Sequence, residues 1–139
     1  DPSDDFDLVT LLIGVNNQVQ GKLFSIYETE FIELVTSAIS FVGGDKSKLI
    51  IVSIPDYSYT PFGQNRNSQN VSAEIDLYNS FAEDYADDND LSYVYITDIT
   101  REGLENPSLV APDGLHPSEL AYRRFVERLM PIALEKSSR

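Results

Sequence analysis

The sequence predicts an α/β protein, a flavodoxin-like three-layer α/β/α sandwich around a parallel sheet. Two observations carry this. Short apolar runs rich in Leu, Ile and Val occupy residues 7–13, 48–54 and 91–97, and continuous apolar runs are how strands buried on both faces of a parallel sheet read. Stretches with apolar residues at helical spacing follow each run. The resulting order, β-α-β-α-β-α, connects through right-handed crossovers that place helices on both sheet faces.

Each element has its own signal. The first run, Leu8-Val9-Thr10-Leu11-Leu12-Ile13, is bounded by Gly14. Phe31, Leu34, Val35, Ala38, Ile39 and Val42 then mark a helix, and Gly43-Gly44 supplies its C-terminal stop. The second run is β-branched and ends at Pro55. Residues 55–70 form a long polar loop whose Asp56, Tyr57, Tyr59, Phe62 and Gln64 are placed to line a cleft. Val71, Ile75, Tyr78, Ala82 and Tyr85 mark a second helix. Asp84, Asp87, Asp88 and Asp90 put negative charge where the macrodipole disfavours it, which predicts a stop by about Ala86. Their spacing does not fit an EF-hand, so they read as a solvated acidic corner. The third run ends at Asp98, which reads as a strand terminator. A last helix starts at Pro117 or Ser118 with a buried stripe of Leu120, Ala121, Phe125, Leu129, Ile132 and Ala133. Arg123, Arg124, Arg128 and Lys136 read as its solvated side.

Composition narrows the function. A chain of 139 residues, 42% apolar, fits one domain spanning 1–139. A net charge of −13 argues against nucleic acid and anionic membranes as partners. No run is long enough to span a membrane. The absence of cysteine removes disulfide, zinc-thiolate and cysteine-nucleophile chemistry and leaves the compartment open. A single histidine makes a histidine-rich metal centre implausible, and neither a metal nor an organic cofactor is expected.

That histidine, His116, lies in Asp113-Gly114-Leu115-His116-Pro117. Pro112-Asp113-Gly114 favours a tight turn that brings a carboxylate and an imidazole three residues apart together. An acid accepting from Nδ1–H fixes the imidazole tautomer and makes Nε2 the base. The same residues also suit a plain turn before a helix. At the end of the first run, Gly14-Val15-Asn16-Asn17-Gln18 lies beyond the carboxyl end of a strand, where α/β proteins collect reactive groups. Asn16 is a candidate oxyanion donor there, or a turn residue bonded to its own backbone.

Together these segments resemble the SGNH (GDSL-type) hydrolases. The resemblance rests on Gly14-Val15-Asn16-Asn17, similar to that family's Gly-x-Asn-Asp block, and on Asp113-Gly114-Leu115-His116-Pro117, similar to its Asp-x-x-His-Pro block. It implies a serine ester hydrolase with Asp113 and His116 as acid and base of a Ser-His-Asp triad. Asn16 would be an oxyanion donor, with Gly14, Asn17, Asp56 and Tyr57 in the substrate neighbourhood. Asn17 departs from the family's usual Asp. The family's Gly-Asp-Ser block is not in the chain. Ser47, in Gly44-Asp45-Lys46-Ser47, falls at the amino edge of the sheet, and Ser53 has no glycine-bearing turn to present it.

The resemblance therefore implies strands three to five of a five-stranded family domain, with the N-terminal strands and the nucleophile lying upstream. Removing a central strand leaves the strand within residues 8–13 with an open edge, a site for pairing with that upstream segment or with a second copy. The substrate class implied is a small-molecule or glycan ester: a short acyl ester, a lysophospholipid or an acetylated sugar. The rival reading is a non-catalytic α/β binding or assembly module that has lost its nucleophile.

Overall fold

The computed structural model describes residues 6–137. It is α/β with a parallel three-stranded sheet, ordered β1 (Val9–Leu11), β2 (Leu49–Val52), β3 (Ser92–Val94). The register aligns Val9 with Leu49 and Ile50 with Ser92. Helices α1 (Val15–Val19) and α2 (Phe24–Phe41) connect β1 to β2. Between β2 and β3 run a 3₁₀ turn, Tyr57–Tyr59, the short α3 (Pro61–Gln64) and the long α4 (Ser68–Asp88). After β3 come α5 (Thr97–Thr100), a 3₁₀ turn at Pro107–Leu109, and α6 (Glu119–Ser137).

The two sheet faces have separate cores. Tyr27, Phe31, Val35 and Ala38 of α2 and Val71, Ile75, Tyr78 and Ala82 of α4 cover Leu49 and Ile51 on one face. Ala121 and Phe125 of α6 cover Ile50, Val52, Val94 and Ile96 on the other. Neighbouring strands follow in chain order, so right-handed crossovers put both connecting helices on the same side and leave the opposite side for α6. The fold is the expected flavodoxin-like one.

Several elements depart from the sequence expectation for local reasons. The strand expected to be buried on both faces exposes Thr10, because β1 is an edge strand among the described residues. Its ladder is short, since β2 offers only four residues to pair. Helix α2 begins seven residues before Phe31, with Phe24 and Tyr27 extending the buried stripe. Leu34, read as core, is exposed. Helix α4 continues through Asp87 and Asp88 because a Schellman cap closes it. Asp90 adopts a left-handed φ of 56°, and the Leu91 amide reaches back to the Ala86 carbonyl at 2.8 Å. The third run stops early because the Ser53 hydroxyl takes the Ile96 and Thr97 amides at 2.7 and 3.2 Å. The chain then turns into α5. Asp98 lies in that helix's first turn and pairs with Arg128 at 2.6 Å, so Arg128 is engaged rather than merely solvated.

Candidate active site

The pairing of Asp113 with His116 is built by local turn chemistry. In the Asp113 turn, Oδ1 accepts the Leu115 amide at 2.9 Å and the His116 amide at 3.0 Å. That leaves Oδ2 to meet His116 Nδ1 at 2.5 Å. Gly114 takes a φ of 74°, which lets the backbone fold back within three residues. Main-chain bonds anchor the turn to the body. Ala111 donates to the His116 carbonyl at 2.8 Å, Ser118 to the Leu109 carbonyl at 2.9 Å, and Phe62 to the Gly114 carbonyl at 3.1 Å. Ser118 also accepts from the Ala121 amide and starts α6.

Those amide bonds, led by the one from Leu115, and the bond from His116 pull the Asp113 carboxyl down from 3.8 to about 2. Asp113 is therefore ionised throughout the neutral range and accepts from Nδ1–H. Nε2 is the ring nitrogen that Asp113 leaves free. Both side chains are well exposed, at 68% for His116 and 50% for Asp113, so the imidazole is open to solvent.

His116 lines a cleft of about 280 Å³ at the carboxyl ends of the strands. Asn16 lines the same cleft, as do Asp56 and Tyr57. Residues far apart in sequence, from three segments that follow the strands, thus meet at one place. Most of the remaining wall is apolar, including Leu12, Val15, Val19, Leu109, Leu115 and Tyr122. Gly14 and Asn17 lie on an adjoining groove with Tyr27 and Glu30.

Asn16 sits on α1, a helix absent from the sequence expectation because five residues with two Asn carry little helical signal. Gly14 precedes it with a φ of 126°. A Cβ there would fall 2.9 Å from the Tyr27 ring, which stacks on Tyr78 at 4.3 Å between centroids. Asn17 donates to Glu30 Oε2 at 3.0 Å. Tyr57 is buried, which raises its hydroxyl pKa, and it donates to Gln18 Oε1.

Asp56 contributes to the wall while its carboxylate points into the protein. It is fully buried and takes bonds from the Ser58 amide and hydroxyl, the Ser72 hydroxyl at 2.6 Å and Arg101 Nε at 3.0 Å. Its oxygens are saturated, and it fixes the loop that carries Tyr57. Sequence reasoning did not find Arg101 or Gln18 as partners. Arg101 follows an ordinary polar stretch, and only the fold brings it beside residue 56.

Ser53 is 1% exposed, its oxygen occupied by two amides and the Thr97 hydroxyl. No serine is among the residues that line the cleft. Thr60 and Thr100 line it, and each hydroxyl is spent on a backbone carbonyl, at 2.6 Å in both cases.

A carboxylate-held imidazole and an amide-bearing helix share one cleft at the carboxyl edge of a flavodoxin-like sheet. Residues 1–124 match the model of the GDSL-like lipase/acylhydrolase family. The chain belongs to that family. No curated protein and no solved structure matches it. Family membership supports an acylhydrolase class of activity. Among the described residues, no helix is long and apolar enough to cross a membrane.

Proposed function

We propose that the protein hydrolyses a carboxylic ester through a Ser-His-Asp triad whose Asp and His are Asp113 and His116. The observation that carries this is the 2.5 Å contact between Asp113 Oδ2 and His116 Nδ1 on the rim of a cleft that Asn16 also lines. His116 Nε2 takes the proton of the attacking serine hydroxyl as its oxygen bonds to the ester carbonyl carbon. The imidazolium, stabilised by Asp113, then returns that proton to the departing alkoxide. Water repeats the sequence on the acyl-enzyme and releases the acid. The Asn16 amide donates to the oxyanion of each tetrahedral intermediate. The substrate class is a small-molecule or glycan ester, and neither a metal nor an organic cofactor is used.

The serine comes from a segment outside these 139 residues, in keeping with the Gly-Asp-Ser block of the resembling family. Two features support a place for it. The outer edge of β1 has no strand partner among the described residues. Tyr122, Val126, Met130 and Leu134, at four-residue intervals along α6, are all exposed. We propose that an upstream strand pairs along the open edge of β1, or failing that a second copy does.

The test uses the full-length gene product. A fluorophosphonate probe followed by intact and peptide mass should label one serine upstream of this chain, and p-nitrophenyl acetate should be turned over. His116→Ala should cut turnover by about 10³-fold or more with the fold retained. Unchanged turnover in that variant removes His116 from the mechanism. Absence of both label and turnover favours the alternative, a binding or assembly module without a nucleophile.

A further inference from the structure

The helix that carries Asn16 is too short to hold its own orientation. Isolated helices below about 12 residues are marginal in water. Helix α1 has five, with Gly14 at its N-cap and no side-chain cap bond. What fixes it comes from outside. Gln18 is 6% exposed, and both ends of its amide are engaged. Oε1 accepts from the Tyr57 hydroxyl on the cleft wall, and Nε2 donates to Glu74 Oε2 on α4 at 2.6 Å. The other Glu74 oxygen takes Asn70 Nδ2 at 3.0 Å. A carboxylate only accepts, so Glu74 also dictates which end of the Gln18 amide faces it.

Successive side chains on an α-helix are about 100° apart, so residues two apart point to roughly opposite sides. With Gln18 drawn inward to α4 and Asn17 tied sideways to Glu30 on α2, Asn16 is turned outward. Its side chain is exposed on the cleft and has no hydrogen-bond partner among the described residues. An amide held in place and left unbonded suits a group whose partner arrives during the reaction.

We propose that Gln18 is the positioning residue of the oxyanion donor. Through Tyr57 and Glu74 it locks α1 to the cleft wall and to α4, which keeps the Asn16 amide aimed at the reacting carbonyl oxygen. It acts through Asn16 and touches no substrate. The inference rests on the reading of Asn16 as that donor, and the experiment separates the two.

In the full-length protein, Asn16→Ala should lower kcat for p-nitrophenyl acetate by about 100-fold. Gln18→Leu, which keeps bulk and loses both bonds, should lower kcat by about 10-fold with KM within about two-fold. The double variant should be no slower than Asn16→Ala alone, because the second change acts only through the first. Tyr57→Phe removes one bond of the chain, should show a smaller loss of the same kind, and serves if Gln18→Leu does not fold.

Amide hydrogen exchange reads the clamp without turnover. The backbone amides of residues 18 and 20, bonded to the Gly14 and Asn16 carbonyls, should exchange faster in Gln18→Leu while those of the β2 core strand do not. Unchanged exchange overturns the proposal, as does a Gln18→Leu loss that adds in full to that of Asn16→Ala. An Asn16→Ala variant with full kcat overturns the oxyanion reading itself, and this role with it.

Discussion

Two aspartates begin the same kind of turn in this molecule and end in opposite circumstances. In both, Oδ1 takes the amide two residues on, from Ser58 at 2.9 Å and from Leu115 at 2.9 Å. Asp56 is fully buried, and Oδ2 is spent on Ser72 and Arg101. Asp113 is half exposed, and its Oδ2 is spent on one imidazole. The local chemistry is shared, and the surroundings decide whether the second oxygen holds a loop or a base. A buried carboxylate must collect enough donors to offset its desolvation. An exposed one has no such requirement and is free to serve a neighbour.

The sharpest way to break this comparison is to change each aspartate. Asp113→Asn keeps an oxygen for both amides and so keeps the turn, but its NH2 cannot accept from Nδ1–H. In the full-length enzyme kcat should fall by about 10⁴-fold, as for the wrong tautomer in a serine triad, while the fold is retained. A stability loss with kcat preserved would make Asp113 the structural residue of the two.

Asp56→Ala should do the reverse. Removing the buried partner of Arg101 should cost about 3 kcal/mol of unfolding free energy in urea titration, at the low end of the range because Arg101 keeps Asp76 at 2.7 Å. Stability within error of the parent would show that the buried network is dispensable.

The glycines beside the two turns sharpen the contrast further. A Cβ on Gly63 would lie 2.0 Å from the Tyr57 carbonyl oxygen, so Gly63→Ala forces the backbone of the buried turn apart. It should lose about 1–3 kcal/mol by thermal denaturation, as overpacking does. At Gly114 the nearest side-chain atom, on Pro61, is 3.6 Å away, and the strain is only that of a left-handed φ. Gly114→Ala should lose about 1 kcal/mol. Equal losses at the two sites would remove the distinction.

The smallest effect is on pH. The folded-state pKa of Asp113 lies below its unfolded value, so its contribution is full above about pH 4 and is lost as pH falls through about 2. A carboxyl ¹³C titration should give a midpoint near 2, and one near 4 would mean that the turn does not hold its bonds in solution.

Much of this molecule was legible in the sequence where local chemistry sets structure. The apolar runs gave the strands, and the stripe from Leu120 to Ala133 gave the face that α6 buries. Asp113 and His116 were legible because a three-residue turn needs no distant partner. Helix α1 was not, since its stability comes from Gln18 and Asn17 bonds to α4 and α2, 56 and 13 residues away in sequence. The end of α4 is not legible in the sequence, because four acidic residues argue for an earlier stop and the cap depends on the left-handed turn at Asp90 and Leu91. The exposed line from Tyr122 to Leu134 was hidden beside the buried stripe, since periodicity reports apolar faces without saying which of them is covered.

By itself the sequence determined the class of fold, the order of its elements and the pairing of one acid with one histidine, because those depend on side-chain period and on backbone preferences within a few residues. Only the tertiary structure decided that Asn16 and His116 share a cleft, that Asp56 faces inward to Arg101, and that Ser53 is locked in the core. These are contacts between residues distant along the chain, and their free energy exists only once the sheet and its two helical layers have assembled.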